Sequence, residues 1–340
     1  MALQPLIAIL GTTGVGKSNL GVELALRLSR GASSHWKGAK IINADSMQVY
    51  TGLDIITNKI PEAEKQGVEH LLMDFKKPGD QYVVGDFVRD ALKLIHEIHE
   101  RHEIPIVVGG TSYWIQHLMF PNRLTGPNAP QSAANSLNSS DCLPEEPPSA
   151  KTNPDEAFDL HRLLCLLDPP VGNRWHWRDT RKVLRSLNII LESRRRASDI
   201  FFDQSRETGS CKPRFRTLCF WLYAEPSRLR PRLDSRVDEM IRKGLLDEIR
   251  SLRTIAEAAI SRPTFERAFR CCSGYKEFNA YLTSPTDLLF KEAVDLMKLS
   301  TRQYAKKQIS WMRNKLHPAV LQANAEELTT PLYLLDATGL

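Results

Sequence analysis

Residues 11–18 read Gly11-Thr12-Thr13-Gly14-Val15-Gly16-Lys17-Ser18, directly after the apolar run Pro5-Leu6-Ile7-Ala8-Ile9-Leu10. A glycine-rich turn between a buried strand and a helix, closing on Lys-Ser, is built to hold phosphate. The glycines let successive backbone N–H groups point into one hollow. Lys17 adds a point charge, and Ser18 offers a hydroxyl to Mg²⁺. The following helix start adds partial positive charge. This pattern predicts a di- or triphosphate ligand and leaves open whether a nucleotide carries it.

Further groups with chemical potential lie along the chain. Asp45 ends the short run Lys40-Ile41-Ile42-Asn43 and opens Ser46-Met47-Gln48-Val49-Tyr50. A carboxylate there can serve as metal partner, general base or helix cap. Arg228, Arg232 and Arg236 recur at i, i+4 and i+8, beside an apolar stripe of Leu229, Leu233, Val237 and Met240. Pro231 interrupts them: either the helix starts near Arg230 and Arg228 leaves the face, or the helix bends. Lys298, Arg302, Lys306 and Arg313 read as a second basic stripe, suited to nucleic-acid phosphates. Trp175, His176 and Trp177 are expected in a core rather than as stacking groups.

The elements that must position these groups alternate. Strands are expected at 6–10, 40–43, 71–73 and 104–108, and helices at 17–29 and 84–100. This predicts an α/β fold, a P-loop parallel sheet covered by helices. Binding loops then gather at the carboxyl ends of the strands, which brings the phosphate loop, Asp45 and Gly109-Gly110-Thr111 to one edge. Residues 1–120 form the first part of this core. Residues 121–155, rich in Pro, Ser, Asn and Ala, read as a flexible insertion. Residues 156–215, with helices at about 156–167 and 178–196, form an inserted helical lobe. Residues 216–340 return to the core through a strand at 217–223, helices from about 227 and at 287–314, and a short strand at 332–335.

The composition fits a globular chain: 340 residues, 42% hydrophobic and 25% charged. No apolar run is long enough to span a membrane. The first strand begins within a few residues of Met1, leaving no space in this sequence for a leader peptide. The six cysteines (Cys142, Cys165, Cys211, Cys219, Cys271 and Cys272) show no metal-ligand spacing and fit a reducing compartment. A cytoplasmic location follows, with mitochondrial or nuclear pools compatible. The net charge of +6 hides an asymmetry. From Arg162 to Lys315 there are 32 Lys and Arg against 18 Asp and Glu. A basic second half points to a polyanionic partner, nucleic acid first.

Taken together, several segments resemble the tRNA dimethylallyltransferase (tRNA isopentenyltransferase) family. They are the Gly11–Ser18 loop, Asp45-Ser46-Met47-Gln48-Val49-Tyr50, Gly109-Gly110-Thr111-Ser112-Tyr113-Trp114-Ile115-Gln116, Arg232-Leu233-Asp234-Ser235-Arg236-Val237-Asp238-Glu239-Met240, Gly274-Tyr275-Lys276-Glu277, and Thr301-Arg302-Gln303-Tyr304-Ala305-Lys306-Lys307-Gln308 with Trp311. The resemblance implies that the loop holds dimethylallyl diphosphate with Mg²⁺ on Ser18. The acceptor it implies is the N6 amine of the adenosine just 3′ of the anticodon, in the anticodon stem-loop of tRNA. It makes Asp45 the general base and Arg236 a diphosphate contact. It assigns tRNA contact to Ser46, Met47, Gln48, Thr111, Arg181, Lys182, Arg185, Gly274, Tyr275 and Lys276. The chain departs from the family at Thr12 (usually Pro), Thr51 (usually Arg) and Ser273 (usually apolar), and the C-terminal Cys/His zinc finger of some eukaryotic members is not found in this sequence. The rival readings are a small-metabolite kinase, which shares the loop but needs an adenine site, and an RNA-binding module with a vestigial loop.

Overall fold

The computed structural model describes residues 3–31, 35–121, 143–144, 147–207, 212–258 and 274–339. It divides into two compact units, residues 1–120 with 212–340, and residues 121–211.

The first unit is built on a six-stranded sheet in the order β3-β2-β4-β1-β5-β6. The strands are β1 (Pro5–Gly11), β2 (Gly38–Asn43), β3 (His70–Leu71), β4 (Glu103–Val108), β5 (Arg216–Tyr223) and β6 (Leu332–Asp336). Every pairing is parallel, with Ile7 opposite Ile106 and Leu218, and Ile41 opposite Ile106. A parallel sheet covered on both faces favours unbroken apolar strands. Leu6, Ala8, Ile9 and Leu10 of β1 are accordingly at most 1% exposed. The helices are α1 (Lys17–Arg30), α2 (Glu62–Lys65), α3 (Val84–Glu100), α4 (Ser112–Met119), α9 (Pro226–Arg242), α10 (Leu245–Ala258), α11 (Asn279–Thr283), α12 (Asp287–Trp311) and α13 (His317–Ala323), with a π-helical turn at Met312–Leu316. The face α1 turns to the sheet is centred on Gly21, Val22 and Ala25. A Cβ on Gly21 would lie 3.0 Å from Val108, so this glycine lets helix and sheet approach closely. After β1 the chain moves outward to β2 and β3, and after β4 it crosses to β5 on the other side. β1 therefore stands at the reversal of strand order, where ligands bind in such sheets.

The second unit contains α5 (Pro154–Leu167), α6 (Pro169–Arg174), α7 (Thr180–Ser193) and α8 (Ala197–Glu207). Leu160, Leu164, Val171, Val183, Leu187 and Ile189 form its core. Asp168 is fully buried there; its two oxygens accept the N–H groups of Val171 and Ser198 and so join α6 to α8. Trp175 packs against this core, and Lys182 lies over its ring. His176 is exposed and Trp177 half-buried, so the expectation of a core triplet holds for Trp175 alone.

Some boundaries shift. The strand expected at 71–73 is His70–Leu71, because Leu72 and Asp74 take left-handed backbone with φ of 57° and 56°. The helix expected to reach 196 ends at Ser193, where Arg194 turns left-handed. Pro231 lies inside α9, which runs from Pro226. Cys142, Cys211, Cys271, Cys272 and Ser273 lie outside the described residues, as does most of the 121–155 stretch. Among the described residues, no helix is long and apolar enough to cross a membrane.

Candidate active site

The site sits at the carboxyl ends of β1, β2 and β4, within the first unit. β1 delivers the phosphate loop, whose Gly14 and Gly16 hold φ of 81° and 82°, conformations strained for any other residue. A Cβ on Gly14 would fall 2.9 Å from the Leu233 side chain, so the loop rests against α9. The Lys17 ammonium donates to the Thr12 carbonyl at 2.6 Å. Burial lowers its pKa to about 8, with Asp45 acting against that shift and Arg236 adding to it. The Thr12 hydroxyl is buried without a hydrogen-bond partner.

β2 delivers Asp45. Its Oδ1 accepts the N–H of Met47 at 3.0 Å, and its own N–H donates to the Asn43 side chain at 3.2 Å. The carboxylate is thereby held at the strand end. β4 brings Gly109 against the same backbone: a Cβ there would meet the Ala44 carbonyl oxygen at 2.1 Å. This close approach needs glycine. It lets the Thr111 N–H reach the Ala44 carbonyl at 3.2 Å, and the Thr111 hydroxyl accept the Ser46 N–H at 3.0 Å. Asp45 is thus fixed on both sides by Thr111.

Two helices close the site. Arg236 of α9 faces Asp45; burial pushes its guanidinium pKa down and Asp45 draws it back up. From α12, Met297, Thr301, Tyr304 and Gln308 fall at spacings of four, three and four residues, one helical face. The Tyr304 hydroxyl lies against Gln308 and Thr111, and burial raises its pKa, with Asp45 adding to the rise. α12 is joined to α9 by Lys298–Asp238 at 2.7 Å and Arg302–Asp234 at 2.6 Å. It is joined to α4 by the Trp311 indole N–H donating to Gln116 at 3.1 Å.

Two cavities adjoin. One, of about 300 Å³, is polar and lined by Lys17, Ser18, Asp45, Arg236, Lys243 and Gln308 among others. The other, of about 220 Å³, is more apolar and lined by Met47, Ile56, Val237, Met240, Met297 and Tyr304 among others. Thr13, Asp45, Thr57 and Arg236 border both. A polar hollow at the glycine-rich loop and a more apolar hollow therefore meet at a carboxylate and a guanidinium.

The structure brings Thr13, Gly14, Gly16, Lys17, Ser18, Asp45, Ser46, Met47, Gln48 and Arg236 to these cavities. Gln48 spends its amide donor on the Thr57 and Asn58 carbonyls. Gly274 holds a φ of 113° against Ile56 and Met297, with its N–H donating to buried Glu277. Tyr275 is half-buried and Lys276 exposed. Arg181, Lys182 and Arg185 are exposed on α7 in the second unit. Two expected groupings do not form. Of the three arginines on α9, Arg232 is turned to the residues just after β6, donating to the Ala337 and Thr338 carbonyls, and Arg228 is exposed. In the second basic stripe, Lys298 and Arg302 of α12 pair with Asp238 and Asp234, while Lys306 of α12 and Arg313 of the π-helical turn are exposed. Sequence reasoning also passed over Tyr304, Gln308 and Lys243. The 297-301-304-308 spacing would have marked the first two as one face.

The sequence pattern of the IPP transferase family matches residues 48–315. The chain belongs to the IPP transferase family. A tRNA dimethylallyltransferase of Schizosaccharomyces pombe is 40% identical over 338 residues, covering 99% of this chain and 74% of its own length. The human tRNA dimethylallyltransferase is 34% identical over 327 residues, 92% of this chain and 66% of its own. Among solved structures, a eukaryotic dimethylallyltransferase acting on tRNA superposes with a TM-score of 0.74 at 31% identity, over 99% of this chain and 74% of that one. A tRNA isopentenylpyrophosphate transferase from Bacillus halodurans gives 0.58 at 30% identity, over 99% and 91%. The family match begins at Gln48, so the phosphate loop and Asp45 of this family member are covered by the full-length similarities instead.

Proposed function

We propose that this member of the IPP transferase family transfers a dimethylallyl group from dimethylallyl diphosphate to the N6 amine of the adenosine next to the anticodon on its 3′ side in tRNA. The observation that carries this reading is the meeting of a polar and an apolar cavity at Asp45 and Arg236. A diphosphate fits the first and a five-carbon prenyl group the second, which puts the scissile allylic C–O bond at their border. A kinase would need an adenine site in place of the apolar hollow.

In the proposed reaction the amine nitrogen attacks the allylic carbon, the C–O bond breaks and diphosphate leaves. Asp45 takes the amine proton; an aligned carboxylate is suited to a nucleophile this weak. The loop N–H groups of residues 11–18, including Thr12 and Val15, together with Lys17 and Arg236 stabilise the charge gained by the leaving diphosphate. The donor set also fits Mg²⁺. Ser18 offers a hydroxyl beside the polar cavity, and Mg²⁺ is commonly held by one or two protein oxygens with substrate phosphates and water. When bound, it would neutralise diphosphate charge.

The target base must leave its stack to reach Asp45 at the border of the two cavities. Ser46, Met47, Gln48 and Thr111 surround Asp45 and are proposed to contact it. Gly274, Tyr275 and Lys276, and the exposed basic face of α7 at Arg181, Lys182 and Arg185, are proposed to meet the anticodon stem-loop.

The deciding assay gives the protein Mg²⁺, labelled dimethylallyl diphosphate and an anticodon stem-loop with adenosine 3′ of the anticodon. Label is expected on the RNA with the parent, and about 10²–10⁴-fold less with Asp45→Ala. No transfer by the parent, with ATP spent on a small acceptor instead, would overturn the reading.

A further inference from the structure

Gln308 is 5% exposed, and both ends of its amide are in use. Its Oε1 accepts the N–H of Thr13 at 2.9 Å, and its Nε2 donates to the carbonyl of Gly110 at 2.9 Å. The two backbone partners fix which end is which, since one is only a donor and the other only an acceptor. A Cβ on Gly110 would lie 2.7 Å from that Nε2, so the approach also depends on glycine at 110.

The two partners serve different tasks. Thr13 belongs to the loop that cradles diphosphate. Gly110 precedes Thr111, whose N–H and hydroxyl bind Ala44 and Ser46, the residues on either side of Asp45. A continuous series of hydrogen bonds therefore runs from the phosphate loop through Gln308, Gly110 and Thr111 to the flanks of the carboxylate. We infer that Gln308 is a positioning residue: it fixes the separation between the diphosphate cradle and Asp45 through the backbones of Thr13 and Gly110. This rests on the prenyl-transfer reading above. The reaction needs the leaving group and the base on opposite sides of one forming bond, and misplacement of about 1 Å can cost a hundredfold in rate.

Two variants test it, each assayed as the full chain against the parent. Gln308→Met keeps length and apolar packing but removes both hydrogen bonds. Its kcat is expected to fall about 10–100-fold, while KM for dimethylallyl diphosphate and for the stem-loop stays within about threefold. Gln308→Glu supplies a titratable mimic. Protonated, the carboxyl presents the same acceptor and donor pair; ionised, it sets a second acceptor against the Gly110 carbonyl. Its activity as a fraction of the parent's is therefore expected to rise as pH falls from about 8 to about 6. Dividing by the parent removes the titration of Lys17, which both proteins share.

A Gln308→Glu fraction independent of pH, a Gln308→Met kcat within about twofold of the parent, or a loss confined to KM would each overturn the inference. If Gln308→Met does not fold, the pH response of Gln308→Glu decides alone. If neither folds, Gln308 is a residue of stability and the inference falls. An inactive parent would instead sink the prenyl-transfer reading.

Discussion

Arg302 donates from one nitrogen, Nη1, to both carboxylate oxygens of Asp234, at 2.6 and 2.8 Å. The contact ties α12 to the helix that carries Arg236. Both side chains are about one-third exposed, so the pair is worth modest energy. Arg302→Ala is expected to cost about 0.5–1 kcal/mol in a denaturant titration, and the exchange Arg302→Asp with Asp234→Arg to recover part of it. Because this guanidinium is already paired, the salt dependence of stem-loop binding should be the same for Arg302→Ala as for the parent. A shallower salt slope would show that Arg302 meets RNA phosphate.

Lys17 sets a pH limit. Its folded pKa of about 8 lies below the ordinary 10.5, so the native protein releases this proton before the unfolded chain does. Between those values the unfolded chain binds more protons, and the group's contribution to stability rises with pH. Below about 8 the penalty for burying the ammonium is fully present. Anion binding runs the other way, because it needs the charged form. Affinity for inorganic pyrophosphate, divided by that of Lys17→Arg to cancel the ligand's own titration, should fall above pH 8 by up to about tenfold per unit. A flat ratio in calorimetry would show that the ammonium is not a ligand.

Met240 is 5% exposed and lines the apolar cavity. Met240→Ala should enlarge the cavity and shift preference toward a ten-carbon prenyl diphosphate. The ratio of kcat/KM for the longer to the shorter donor is expected to increase about tenfold or more, at a stability cost of about 2–4 kcal/mol. An unchanged ratio in competition assays would place the prenyl chain elsewhere.

Glu248 of α10 accepts the N–H groups of Ile55 and Ile56, at 2.8 and 2.7 Å. That holds the turn whose Ile56 lines the apolar cavity and whose Thr57 and Asn58 carbonyls receive Gln48. Glu248→Ala leaves two backbone donors without their partner. It should destabilise the protein by about 1–3 kcal/mol and raise KM for the prenyl diphosphate, with the inhibition constant Ki of product pyrophosphate little changed. Equal effects on both constants would show a global rather than a local role.

The parallel sheet and the phosphate loop were legible because they are written locally. Buried strands read as unbroken apolar runs, and the loop's glycines, Lys17 and Ser18 are contiguous. Asp45 was legible from its place at a strand end. The partners of the second basic stripe were not legible, because charge spacing along a helix does not reveal what faces it. Asp234 and Asp238, far away in sequence, claim Arg302 and Lys298. Gln308 was legible only as part of a family segment and a helical face; its partners Thr13 and Gly110 are set by how α12 packs on the sheet. The end of β3 turned on left-handed backbone at Leu72 and Asp74, which a leucine does not announce.

The bond between Thr13 and Gln308 spans 295 positions of sequence. During synthesis the phosphate loop emerges 295 residues before the amide that completes it. Closing so long a loop comes late among folding events. A ribosome-bound chain that has not yet released α12 should therefore carry the whole phosphate-binding motif yet lack the clasp between the loop and Gly110. Substrate capture and alignment would then mature at different times, the second only once α12 has been made.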